Sequence, residues 1–306
     1  ADSEYIEALY HLTQEPPVLQ QAEDRHNYIV DADYSAADIQ EHVASLKHLS
    51  HKEQQLLYKV LSIPNNLFKE GLGLLNIPPV ELEVKEDATP FHVKPFPLPQ
   101  AYEAMAKKET QRFCDIGVME KNRESEWGAP TFFQPKKKGN VGSLRVLTNF
   151  RRLNAVLKRH PFPLPKISDL LLKLQGFKYA TALDLSMGCY HIPLSEYSQK
   201  LCTTVMPWGK CRYKRLPMGI ASAPDIFQHT MHDLLGDLDF VRVYIDDVLI
   251  ISNGSYEDHM AKLTVVLNRL DKANFRANVR KCYFAQDNLE YLGYQLTGEG
   301  IQPQPQ

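Results

Sequence analysis

Apolar positions follow two rhythms along this chain, helical and strand-like. Helical spacing governs residues 99–116, where Tyr102, Met105, Phe113 and Ile116 form one stripe and Gly117 follows as a left-handed terminator. Strand-like runs then dominate. Residues 131–134 and 144–149 flank the loop Lys136-Lys-Lys-Gly-Asn-Val-Gly142, which predicts a β-hairpin with a basic, mobile tip. A helix is expected over 166–175, ended by Gly176, then a strand over 179–183 that delivers Asp184 at its end. Further strands are expected over 201–206 and 211–215. The turn Leu216-Pro-Met-Gly-Ile-Ala-Ser-Ala-Pro224 feeds a helix for which Ser222 is the expected cap, with Gly236 beyond its end. After a hairpin over 240–252, Ser255 caps a long helix bearing Leu263, Val266, Leu267 and Leu270, and two strands follow around 275–284 and 291–296.

Upstream the signals weaken. Residues 1–30 show no periodicity and read as a linker around Pro16-Pro17. Ser35-Ala-Ala-Asp38 and Ser50-His-Lys-Glu53 resemble capping boxes before a small helix pair. Residues 62–98, broken by prolines and glycines, predict an extended connector with one short strand at 80–84. The domain division expected is therefore 1–90, a linker with an acidic helix pair; 91–301, the catalytic region; and 302–306, a truncated tail.

Composition narrows the class. With 306 residues, 43% of them hydrophobic, the chain can bury a sizeable core. Five cysteines with no C-x-x-C pair argue against a disulfide framework and a zinc site. No apolar run approaches the ~20 residues of a membrane span, and the first residues lack the pattern of a signal peptide. An intracellular protein without a membrane partner is the expectation. The net charge of −2 hides an asymmetry: residues 1–90 carry 16 acidic and 6 basic side chains, residues 91–306 carry 21 and 29. Between Glu126 and Asp169 there is no acid, yet nine bases interleave with Phe132, Phe133, Phe150 and Phe162. That combination suits a polyphosphate or nucleic-acid track.

The chemistry centres on Asp246 and Asp247, which interrupt the apolar run Phe240-Val-Arg-Val-Tyr-Ile-Asp-Asp-Val-Leu-Ile-Ile-Ser252. Adjacent buried carboxylates repel and take up protons unless a divalent cation supplies the missing partner. The competing reading is a simple polar turn. Asp184, at the end of an apolar strand 62 residues earlier, can reach the same sheet edge. Three carboxylates at one edge are the inventory for two Mg²⁺ ions bound together with phosphates. By contrast, His229-x-x-His232 lacks a third ligand and reads as a polar helix face; His191 and His259 read as structural or exposed, and Asp237 and Asp239 as the end of a helix and the start of a turn.

These residues carry a family resemblance. Tyr244-Ile-Asp-Asp247 resembles the Y-x-D-D motif of reverse transcriptases. Leu183-Asp-Leu-Ser-Met-Gly188 is similar to their first metal-ligand strand, Arg145-Val-Leu-Thr-Asn-Phe-Arg-Arg-Leu-Asn154 to their fingers strand, Leu216-Pro-Met-Gly219 to their pocket turn and Leu292-Gly-Tyr294 to their primer grip. With Phe162-Pro-Leu-Pro-Lys166 and Trp208-Gly209, the run resembles the polymerase of gypsy-type long-terminal-repeat retrotransposons over residues 91–301. The resemblance implies an α+β fold of fingers and palm, an antiparallel palm sheet packed on helices, with the thumb missing or nearly so. It implies RNA-directed DNA synthesis with Mg²⁺, for which Mn²⁺ can substitute, acting on an RNA template, a DNA primer and dNTPs. Ribonuclease H and integrase would lie downstream in the full polyprotein, in a cytoplasmic particle or the nucleus.

Carried over by position, Asp184, Asp246, Asp247 and the carbonyl of Leu185 would be metal ligands. Lys138 and Arg145 would hold the β- and γ-phosphates, and Met218 and Gly219 would line the nucleotide pocket. Tyr244 and Ile245 would lie at the primer end, and Leu292, Gly293 and Tyr294 would position the primer backbone. Core packing is the alternative for Met218, Ile245 and Leu292. Two departures stand out. Cys189 occupies the place of a bulky aromatic that blocks a ribose 2′-hydroxyl, with Tyr190 next along, and Asn149 stands where the fingers strand usually has Asp. A non-catalytic nucleic-acid-binding relic of a mobile element is therefore the alternative function. Another two-metal palm enzyme, a nucleotide cyclase or an RNA-copying polymerase, comes third.

Overall fold

The β-branched runs around the three carboxylates form a four-stranded antiparallel sheet, and the rest of the chain is arranged to hold it. The structure, a computed structural model, describes residues 39–303 apart from 70, 138–139, 167–168, 171–173, 175 and 186, and leaves out the side chains of 135–137, 140–143 and 302–303. The linker expected over 1–30, the capping box at Ser35 and most of the helix expected over 166–175 lie outside the described residues.

Two short helices come first, α1 (Ile39–Ser45) and α2 (His51–Leu61). The second opens on a complete capping box: Ser50 Oγ accepts the Glu53 N–H at 3.3 Å and the Glu53 carboxylate accepts the Ser50 N–H at 2.7 Å. The strand expected at 80–84 is reduced to two isolated bridges, Val80 with Leu194 and Val84 with Leu157, because the surrounding prolines cannot sustain a ladder. This connector is pinned behind the sheet. Asp271 accepts the N–H groups of Asn65, Asn66 and Leu67, and Arg215 donates to the Gly73 carbonyl at 2.8 Å.

Helix α3 (Gln100–Asp115) follows the predicted stripe, and Gly117 beyond it has φ of +78°, where a side chain is costly. The fingers sheet is built from β1 (Met119–Lys121), β2 (Ala129–Lys137), β3 (Asn140–Thr148), β5 (Thr203–Met206) and β6 (Gly209–Tyr213), in the order β1-β6-β5-β2-β3. Among the described residues of this sheet, β2 pairs with β5 in parallel and the other pairings are antiparallel. The β2–β3 ladder runs further than expected, with Lys137 paired to Asn140, so residues 136–137 and 140–142 continue the two strands. Helix α4 (Arg151–Val156) follows β3, and α5 (Glu196–Leu201) precedes β5; this shortens the strand expected over 201–206 to begin at Thr203.

The palm sheet consists of β4 (Tyr179–Asp184), β7 (Val241–Tyr244), β8 (Asp247–Ser252) and β9 (Tyr283–Gln286), in the order β7-β8-β4-β9. Helices α6 (Ala223–Leu235) and α7 (Tyr256–Lys272) pack against it through Phe227, Met231, Leu263, Val266 and Leu270, all within 1% of full burial. Burying a side chain of this size contributes about 1.5–3 kcal/mol. Ser255 caps α7 as expected, accepting the Asp258 N–H. Ser222 does not cap α6: it is itself in helical geometry and buried, and Pro224 at the helix start removes one donor that a cap would serve. The first half of the strand expected over 275–284 is irregular, since Phe275 turns wholly inward against Phe227 and His191.

A third sheet, β10 (Asn288–Tyr291), β11 (Tyr294–Thr297) and β12 (Gly300–Pro303), meets the palm through a core of Leu174, Phe177, Ala180, Leu249, Leu289, Tyr291 and Leu296. Among the described residues no helix is long and apolar enough to cross a membrane.

Candidate active site

Antiparallel pairing of β4 with β8 runs in unbroken register from Tyr179 with Ser252 to Asp184 with Asp247. The alternation of the two strands thus ends with two carboxylates as direct neighbours. Asp246 joins them through the backbone, where the Leu185 N–H donates to the Asp246 carbonyl at 3.1 Å. Tyr244 pairs with Asp247, so Ile245 and Asp246 are the central residues of a two-residue hairpin turn. Ile245 has φ of 53°, a conformation costly for a β-branched residue. Its N–H donates to Gln228 Oε1 at 2.7 Å, while Gln228 Nε2 donates to the Val243 carbonyl at 3.1 Å.

All three carboxylates are half-buried at this edge. Two thiols flank them. Burial pushes Cys189 up to about 12, with the negative charge of Asp246 adding to the effect. Burial likewise pushes Cys282 up to about 12, partly offset by a hydrogen bond with the backbone of Asp184. Both are therefore neutral thiols, and neither adds charge to the edge. Among the described residues no three His, Cys, Asp or Glu side chains close around a common point. Like charges repel, and Mg²⁺ takes only one or two carboxylates per ion beside waters and phosphates. Carboxylate and carbonyl oxygens with open positions are the donor chemistry of a hard divalent cation.

The reverse transcriptase (RNA-dependent DNA polymerase) family matches residues 134–296, more than half the chain, and this span contains all three carboxylates. The chain belongs to the reverse transcriptase family. The retrovirus-related Pol polyprotein from transposon 297 of Drosophila melanogaster is 30% identical over 267 residues, 85% of this chain and 25% of that protein. The transposon Tf2-3 polyprotein of Schizosaccharomyces pombe is 30% identical over 225 residues, 73% of this chain and 16% of that protein. The chain thus spans a quarter or less of these curated relatives. Among solved structures, the foamy viral protease-reverse transcriptase in complex with an RNA/DNA hybrid matches with a TM-score of 0.75 at 20% identity, covering 95% of this chain and 37% of that one. The prototype foamy virus protease-reverse transcriptase gives 0.76 at 23% identity, covering 88% and 36%. These likenesses establish the fingers-and-palm fold expected from the sequence.

A short 3₁₀ segment, Gly188–His191, follows Asp184 within a few residues. Gly188 is required there, since a Cβ would sit 2.5 Å from the Phe227 ring. Cys189 stays near the carboxylates, whereas Tyr190 turns into the core, its ring 6.2 Å from Phe113 and its carbonyl accepting from Arg215. Met218 is half-buried and Gly219 exposed, the latter lying against Phe150 at the end of the fingers strand. Asn154 closes that turn, donating to the Gly219 carbonyl at 3.0 Å and accepting the Ala221 N–H at 2.9 Å. Arg145 lies on β3 opposite Gln134; Lys138 lies outside the described residues. Asn149 accepts the Arg151 N–H at 3.1 Å, opening α4 in a role that Asp could also fill.

On the other side, Leu292 and Gly293 form the turn between β10 and β11 with φ of 51° and 80°. Leu292 and Tyr294, both half-buried, pack against the palm core, while Gly293 is exposed. Tyr291 OH donates to the Asp247 carbonyl at 3.4 Å, joining this hairpin to the carboxylate edge.

Several bases of the basic segment are engaged by neighbours while staying exposed at the surface. Arg159 pairs with the buried Asp225 at 2.8 Å, which raises its pKa, Arg152 lies over the Phe91 ring and Lys158 approaches Glu83. Phe162 stacks on His229 at 5.1 Å and also packs near His232, which places that pair on a polar helix face. Asp237 is tied to Arg269 away from the carboxylate edge. Asn154, Gln228 and Tyr291 were not singled out from the sequence. One cue was present: Gln228 follows Phe227 on the inward stripe of α6.

Proposed function

We propose that this chain is the polymerase portion of a retrotransposon Pol polyprotein and extends a DNA primer on an RNA or DNA template. The observation that carries this reading is the pairing of Asp184 with Asp247 beside Asp246 in a two-residue turn. Asp184, Asp246, Asp247 and the carbonyl of Leu185 would hold two Mg²⁺ ions, or Mn²⁺, which would lower the pKa of the primer 3′-hydroxyl and neutralise charge on the triphosphate.

The remaining steps belong to the chain's own residues. Arg145 and Lys138 bind the β- and γ-phosphates of the dNTP, and the turn at Met218 and Gly219 receives the nucleotide. Cys189 lies under the sugar, with Tyr190 withdrawn into the core. Tyr244 and Ile245 meet the primer end, and the hairpin at Leu292–Tyr294 orients its backbone. The solved neighbours carrying an RNA/DNA hybrid and double-stranded DNA support the substrate class. Ribonuclease H and integrase functions fall to other parts of the polyprotein, and the reaction runs in a cytoplasmic particle or the nucleus. Extension of one DNA primer annealed in turn to RNA and to DNA tests the template assignment. Synthesis on RNA is expected, and synthesis on DNA alone would contradict it.

A further inference from the structure

Ile245 holds a left-handed conformation between two residues whose placement decides the geometry of Asp246 and Asp247. A β-branched residue persists there only when its surroundings fix it. The fixing group comes from outside the sheet. Gln228 on α6 is 5% exposed, and its amide grips the turn at two points that straddle Tyr244: the Ile245 N–H and the Val243 carbonyl. The helix is itself anchored independently. Asp225 accepts from Arg159 and from the Phe162 N–H, Phe227 presses on Gly188, and the Leu234 carbonyl accepts from Arg269.

We propose that Gln228 is a positioning residue for the metal-binding turn, transmitting the fixed location of α6 to Asp246 and Asp247. Both of its hydrogen-bonding functions are needed. The carbonyl oxygen holds the N–H of the strained residue, and the NH₂ group keeps the preceding strand from twisting away. A side chain of equal length without these groups leaves Ile245 free to relax to an extended conformation, which rotates the following carboxylates. The proposal rests on the reading of Asp246 and Asp247 as metal ligands, and its test separates the two.

The test compares wild type, Gln228→Met and Asp247→Asn by Mn²⁺ titration, following free Mn²⁺ by electron paramagnetic resonance, with amide hydrogen exchange measured on the same samples. In Gln228→Met, Mn²⁺ affinity is expected to fall about tenfold and exchange at Ile245 to accelerate at least about tenfold, while β4 and β8 amides stay protected. Equal Mn²⁺ binding by wild type and Asp247→Asn would overturn the metal reading itself. Loss of binding in Asp247→Asn, with Gln228→Met binding as wild type, would overturn the role of Gln228 alone. Faster exchange throughout β4 and β8 in Gln228→Met would also overturn it, making Gln228 a support of the whole sheet.

Discussion

Asn154 and Gly219, 65 residues apart in sequence, are joined by a 3.0 Å hydrogen bond that links the helix after the fingers strand to the turn at Met218 and Gly219. The same amide accepts the Ala221 N–H, so a single side chain closes both ends of this turn. Both bonds are exposed, and the net loss on removal is at most about 1 kcal/mol apiece. Asn154→Ala is therefore expected to leave the protein folded and to raise KM for dNTP several-fold with a smaller change in kcat. Steady-state primer extension over a range of dNTP concentrations checks this, and an unchanged KM would remove Asn154 from the pocket.

Cys189 stands beside Asp246, and Tyr190 cannot substitute for a missing ring because it is buried against Phe113. The sequence left open whether Tyr190 fills that space; its ring lies buried against Phe113. Ribonucleotides are thus expected to be excluded weakly. Cys189→Tyr should raise the preference for deoxyribonucleotides at least about tenfold, the order of one steric contact in a pocket. Competitive incorporation of dNTP against the matching rNTP reads the ratio, and an unchanged ratio would contradict the placement.

Two buried histidines set a pH dependence of stability. His259 bridges Thr181 Oγ1 at 2.7 Å and Ser252 Oγ at 2.8 Å, and His191 contacts the Met187 carbonyl and the Arg276 N–H. Burial lowers both from 6.5 to about 4. The unfolded chain therefore binds more protons than the folded one between pH 4 and 6.5. Their contribution is complete above that window and is lost as pH falls through it, by up to about 1.4 kcal/mol per pH unit for each histidine. Thermal midpoints from pH 7.5 to 4.5 should fall less steeply in His259→Gln than in wild type. Parallel curves would show that His259 does not titrate with unfolding.

What could be read from the sequence follows from how locally each feature is encoded. The Tyr244–Asp247 turn was readable because carboxylates interrupt an apolar strand pair, and Ser50 and Ser255 because a cap and its partner lie three residues apart. The same local logic failed at Ser222, where Pro224 and burial take precedence over capping, and at Phe275, whose burial imposes no backbone period. Asn154 and Gln228 were invisible for a different reason. A single amide on a helix reads as an ordinary polar position until the fold shows which distant backbone it meets. The pairing of Arg159 with Asp225 was hidden for the same reason, since the two lie 66 residues apart on different elements.

The most direct test of the carboxylate centre is primer extension on an RNA template with dNTPs and Mg²⁺ or Mn²⁺, comparing wild type with Asp246→Asn/Asp247→Asn. Extension by wild type and a loss of about a thousandfold or more in the variant are expected, with thermal midpoint and primer-template binding retained. Equal extension by both would contradict the centre. Absence of extension by wild type that still binds primer-template would contradict catalysis by this chain and favour the non-catalytic relic.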